Sequence, residues 1–201
     1  MNISISELLA CMYADDREVL TGFDMTQYGD VPFDENEVNG NLVEEELFEK
    51  EGEDGKYGLS SFGAFCMNVI SNPDVWLVIK NSQQELTRRI FIRDEYYLYL
   101  DEVEDRIIGD VLPSLPIVFG GCAKMLEISD SEEEGIIVEG FGKSGDTDIL
   151  FDIYSDNTYV LTIADETKQS KYNETDLLNT IIQWIISGLK DIEETEEEIN
   201  E

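Results

Sequence analysis

The stretch "SSFGAFCMNVISNPDVWLVIKNSQQELTRRIFIRDEYYLYLD", Ser60 to Asp101, changes period once, and that change decides the fold. Ser60 or Ser61 can accept hydrogen bonds from the free N–H groups of a first helical turn. Phe62, Phe65, Cys66, Val69 and Ile70 then recur at i, i+3, i+4, i+7 and i+8, which predicts a helix with one apolar face. Asn72-Pro73 ends it, because proline disfavours the helical conformation for the residue before it. After Asp74 the period becomes two. "VWLVIK" (75–80), "TRRIFIR" (87–93) and "EYYLYLD" (95–101) read as consecutive antiparallel strands with short connections.

Upstream, Ser4 with Glu7 makes a possible capping box for a short first helix carrying Ile5, Leu8, Leu9 and Met12. Residues 22–41 are rich in Gly, Asp and Asn and predict a loop, with a turn of helix near Glu35 to Val38. Asn41 is placed to cap a second helix with Leu42, Val43, Leu47 and Phe48, closed by "EGEDGKYG". Downstream, Pro113 and Pro116 argue against a central strand in "DRIIGDVLPSLPIVFGGC", and "LPSLP" reads as an exposed crossing segment. "IIVEGF" (136–141), "TDILFDIY" (147–154) and "TYVLTIA" (158–164) form a second group of strands, and Glu174 to Lys190 a long helix. The expectation is an α+β fold: antiparallel β-meanders of about six strands in two quasi-similar halves, about 1–115 and 116–190, with packed helices. The tail 191–201, with seven acids in eleven residues, is expected to be disordered and solvated.

The 201 residues contain 13 Lys plus Arg against 46 Asp plus Glu, a net charge of −33. Such a surface repels phosphate backbones and anionic headgroups, which argues against nucleic-acid and membrane partners. No secretory signal is legible at the N-terminus, and no run reaches the roughly 18 apolar residues of a membrane span. Cys11, Cys66 and Cys122 are odd in number and widely spaced, as reduced thiols of a cytoplasmic protein would be. Histidine is absent, which removes imidazole bases, His-based triads and the commonest zinc ligand. Carboxylate chemistry is what remains open to an enzyme.

Gly140 to Gly145 matches G-x-G-x-x-G, but the alternating "DTDILFDIY" after it reads as a strand, so the glycines mark a hairpin turn with no nucleotide site. Acidic clusters such as Asp101, Glu102, Glu104 and Asp105, or Asp146, Asp148 and Asp152, lack the spacing of a calcium loop. No cofactor, metal or catalytic residue is therefore assigned. Leu42 to Ile70 also resembles a winged-helix unit of helix, hairpin and helix, yet Lys50 and Lys56 are too few to hold phosphates. In the last helix Trp184, Leu177, Ile181, Ile185, Leu178, Leu189, Ile182 and Ile186 sweep an apolar arc of roughly 200°, about twice what a helix on a sheet needs. Either the helix is wedged between other elements, or a flank around Trp184 or Ile186 stays open to an amphipathic partner helix.

The order of elements from Leu42 to Ile79, with Leu59, Gly63, Pro73 and Asp74, resembles the EspG-type chaperones of type VII (ESX) secretion systems, and the likeness extends to Lys190. It implies a cytosolic, non-catalytic binding protein of a Gram-positive secretion locus that grips the apolar tip of a secreted helical hairpin. By position it implies binding through 81–89, with Gln84, Leu86 and Arg88, and through 177–189, with Ile182 beside Trp184 and Ile186. The alternative is an immunity protein whose acidic face plugs a basic toxin domain. A carboxylate-metal hydrolase is a third.

Overall fold

The computed structural model describes residues 1–17, 20–23, 35–51, 56–81, 86–114, 136–142, 147–153, 158–163, 166–171 and 173–200, together with Ile117 and Gly120. Among them, nine strands form one antiparallel sheet. These are β1 (Asn2–Ser4), β4 (Val75–Asn81), β5 (Leu86–Arg93), β6 (Tyr96–Val103), β7 (Arg106–Leu112), β8 (Ile136–Phe141), β9 (Thr147–Ile153), β10 (Thr158–Ile163) and β11 (Glu166–Lys171). β2 (Phe48–Glu51) and β3 (Lys56–Leu59) make a separate hairpin. The helices are α1 (Ile5–Ala14), α2 (Glu35–Glu44), α3 (Ser61–Ser71) and α4 (Glu174–Asn200).

The sheet order is β1-β7-β6-β5-β4-β8-β9-β10-β11, so each meander runs outward from the centre and the two join where β4 pairs with β8. Among the described residues there are eleven strands where about six were expected. The additions are instructive: β7 ends at Leu112, one residue before Pro113, so the proline limits the strand without excluding it. β11, "ETKQSK", lies at the sheet edge, where charged residues replace apolar alternation.

Val75, Leu77 and Ile79 of β4 enter one hydrophobic cluster with Leu177, Ile181 and Ile185 of α4. Trp76 and Val78, one residue out of phase, enter a second cluster with residues of α1 and α3. β4 is thus apolar on both faces because helices lie on both sides of it. On the α1 and α3 side, the Ser4 hydroxyl accepts from the Glu7 N–H at 3.3 Å and the Glu7 carboxylate from the Ser4 N–H at 2.6 Å, completing the predicted capping box. Cys11 and Cys66 are buried in this layer, and burial pushes both thiols up to about 12.

Ser60 caps α3 by accepting from the Gly63 N–H at 2.9 Å. The buried face is Gly63, Cys66, Met67, Val69 and Ile70, whereas Phe62 is exposed, so the apolar stripe is rotated from the one expected. Gly63 faces the Leu47 backbone with no room for a side chain, and this close approach sets the rotation. The second helix is also shifted. α2 starts at Glu35 and stops at Glu44, before Leu47 and before Phe48, which begins the hairpin. Its stop is a Schellman motif: the Leu47 N–H donates to the Leu42 carbonyl at 2.9 Å and the Glu46 N–H to the Val43 carbonyl at 3.1 Å, with Glu46 at φ 61°. A glutamate in a left-handed conformation is not a helix stop that composition announces.

The acidic residues 191–200, expected as disordered tail, continue α4 to Asn200. Glutamate is a good helix former, and here that preference outweighs self-repulsion along the run.

Candidate functional site

α4 lies along β4 and β8. Leu177, Ile181 and Ile185, spaced by four, are its deepest side chains at 0%, 1% and 0% exposure. Gly188 lets the helix approach β4, since a Cβ there would stand 3.3 Å from Val75 Cγ2. One flank is fixed by Trp184. A Cβ on Gly140 of β8 would stand 2.7 and 2.8 Å from Trp184 Cη2 and Cζ3, so the indole occupies the space that the glycine leaves open. That flank therefore points toward the second meander.

Helical geometry turns the opposite flank, Leu178, Ile182, Leu189 and Ile186, toward the first meander. All four are half-buried. The same sheet face continues past them over β5, β6 and β7, as the registers Ile90↔Tyr99, Ile92↔Tyr97 and Tyr97↔Leu112 require. Leu86, Tyr97, Tyr99 and Leu112 pack against the margin of the α4 cluster and stay half-buried. Farther out on this face Val103 and Ile108 are 37% and 40% exposed. The result is a shallow trough with a helical wall and an aromatic and aliphatic floor.

One ion pair crosses that floor. Arg88 Nε and Nη2 donate to Asp101 Oδ1 and Oδ2, both at 2.6 Å, and the guanidinium carbon lies 5.0 Å from the Tyr99 ring centroid. This bidentate pairing cancels those two charges locally, in a chain of net charge −33.

Of the residues singled out in the sequence, Ile182, Ile186, Leu86 and Arg88 come together on this one surface. Trp184 does not: it sits on the other flank, against Gly140. Gln84 lies outside the described residues. Tyr97, Tyr99 and Leu112 were missed as site residues. The period-two spacing of Tyr97 and Tyr99 in "EYYLYLD" carries the signal, whereas Leu112 was hidden by its neighbouring proline. Among the described residues no three His, Cys, Asp or Glu side chains are placed to hold a metal ion, and no helix is long and apolar enough to cross a membrane.

No family model and no curated protein matches the sequence. The fold, however, is similar to that of the Mycobacterium tuberculosis type VII secretion system chaperone EspG5, solved in complex with a PE25–PPE41 dimer. The TM-score is 0.57 over 89% of this chain and 92% of that chain, at 8% sequence identity. The likeness is one of fold: an EspG-like arrangement of one large antiparallel sheet and a long C-terminal helix.

Proposed function

We propose that this chain is a cytoplasmic, non-catalytic chaperone or adaptor of a type VII secretion system that holds a secreted helical-hairpin substrate in the trough beside α4. One observation carries the reading: Ile182 and Ile186 project from a helix already anchored by Leu177, Ile181 and Ile185, next to a floor of Leu86, Tyr97, Tyr99 and Leu112. An amphipathic helix laid there would cover apolar surface on two sides. The acidic exterior keeps the complex soluble and discourages self-association while cargo is held. The fold it shares with a secretion chaperone supports the same reading.

The test is co-expression with helical-hairpin substrates from the same genome, using Ile186→Asp. The variant should stay folded by circular dichroism and lose the substrate, whereas Ile185→Asp should unfold the chain. Undiminished capture by folded Ile186→Asp would reject the trough.

The charge of −33 favours a second reading, an immunity protein with an acidic plug for a basic toxin. Salt separates the two. At about 0.5 M NaCl the screening length falls to a few Å, so a steered acidic plug loses much of its association rate while apolar docking survives.

A further inference from the structure

The outer strand of the trough floor, β7, carries an exposed carboxylate in the middle of its apolar row. The registers Tyr97↔Leu112, Tyr99↔Asp110 and Asp101↔Ile108 place Leu112, Asp110 and Ile108 on the face that α4 occupies. Ile108 is 40% exposed and Leu112 half-buried, so Asp110, itself exposed, interrupts an aliphatic rim. The register of β1 on β7 stops at Ile108, and the Val111 N–H beyond it donates to Asp110 Oδ1 at 2.8 Å. That bond holds the carboxylate at the rim, and a carboxylate has lone pairs for further donors.

The cations of the same floor are engaged elsewhere. Arg88 is held by Asp101, and Arg106 donates from Nε and Nη2 to Asn2 Oδ1 at 3.0 and 2.7 Å and from Nη2 to the Asn2 carbonyl at 2.7 Å. Among the described residues no Lys or Arg stands within ion-pair distance of Asp110. Arg106, four residues back along β7, is about 13 Å away, more than the screening length of about 10 Å at 0.1 M salt. The opposite rim is different. On α4 the exposed Asn179 and Gln183 share a ridge with Ile186 at helical spacing and carry no charge. The trough therefore has amides along its helical wall and an anion along its outer strand.

A helix laid over β5 and β6 meets apolar surface beneath it, neutral polar groups on one flank and a carboxylate on the other. We infer that the captured arm is a basic amphipathic helix, with a Lys or Arg on the flank of its apolar stripe that faces away from α4, and that Asp110 is the residue that selects it. This rests on the trough reading and names the chemistry of its cargo. The net charge of −33 draws cationic arms from a distance, and Asp110 fixes where their charge comes to rest.

The test uses designed helical hairpins that share one leucine stripe and carry Lys, Gln or Glu beside it, titrated against the full-length protein by fluorescence anisotropy. The Lys hairpin should bind about tenfold more tightly than the Glu hairpin, with Gln between them. Because the whole acidic body contributes to that ratio, the decisive reading is how the ratio changes. Asp110→Lys should lower it about tenfold or more, and Asp110→Asn, which keeps an oxygen for the Val111 N–H, about threefold. Glu49→Lys makes the same charge change on exposed β2, outside the large sheet, and should lower it less than about twofold. A ratio that Asp110→Lys leaves unmoved, or moves no more than Glu49→Lys does, while Ile186→Asp still abolishes binding, would overturn this inference and leave the trough standing. Binding that survives Ile186→Asp, or no binding of any hairpin, would remove the trough and this inference together.

Discussion

Gly140→Ala should destabilise the protein through a residue far away in sequence, Trp184. Carbon atoms in contact rest about 3.5–4.0 Å apart. The new methyl would stand 2.7 and 2.8 Å from two indole carbons, an overlap of about 1 Å, and closer still to Ile149 Cγ2. Neither neighbour is the free end of a flexible chain, so relief requires the indole to lift from the sheet or β8 and β9 to separate. Overpacking of this kind costs about 1–3 kcal/mol. For a chain of this size that lowers Tm by about 2–12 °C. Urea unfolding followed by tryptophan emission measures the cost, and a red shift in the folded baseline reports an indole moved toward water. The decisive comparison is a cycle with Trp184→Leu. The smaller side chain removes part of the clash, so the double variant should be less destabilised than the two single changes summed, by about 0.5 kcal/mol or more. Strict additivity, or a neutral Gly140→Ala, would show that the indole does not rest on the glycine and would return Trp184 to the list of residues free for a partner.

The thiols make a pH prediction. Burial raises both Cys11 and Cys66 from 9.0 to about 12. The folded state then holds these protons more tightly than the unfolded chain does. Stability is intact below pH 9 and falls as pH rises toward 12, by up to about 1.4 kcal/mol per unit for each thiol. Urea midpoints between about pH 8 and pH 10.5 should fall more steeply for the natural chain than for Cys11→Ala/Cys66→Ala; parallel slopes would contradict the burial. Asp101→Asn should cost about 1–2 kcal/mol in urea unfolding, because it weakens a bidentate pair to a guanidinium that is largely buried; an unchanged midpoint would mean that water replaces the carboxylate freely.

The legible parts of the fold were those in which local chemistry and packing agree. Ser4 with Glu7, Ser60, and the period change after Asp74 each act within a few residues, and each is found where expected. What escaped is non-local or contradicts propensity. Glu46 stops α2 in a conformation that usually favours glycine. β1 has only three residues, and β11 has almost no apolar ones, so both are strands chiefly because a neighbour offers hydrogen bonds. The trough was half legible. The width of the apolar arc on α4 shows that something beyond one sheet contact is needed, but only Gly140 decides which flank the sheet takes and which it leaves.

The dimensions of the sheet explain why a flank is left at all. Strands lie about 4.8 Å apart, so nine of them span close to 40 Å, whereas a helix with its side chains is about 10 Å wide. A helix of that width seated over β4 and β8 covers two or three strands. Leu86, Tyr97, Tyr99 and Leu112 therefore meet it only at their margin. A second helix packed beside α4 at the usual 8–10 Å axis separation would be centred about two strands away, over β5 and β6, where Tyr97 and Tyr99 stand. One arm of a helical hairpin has that width, and a globular toxin domain does not. A photoreactive amino acid at position 99 should thus cross-link a captured hairpin along one helix, with products spaced by three or four residues. The same group at position 160, on the opposite sheet face, should give none. Equal yields from both positions, or products scattered over a folded domain, would favour the acidic plug over the trough.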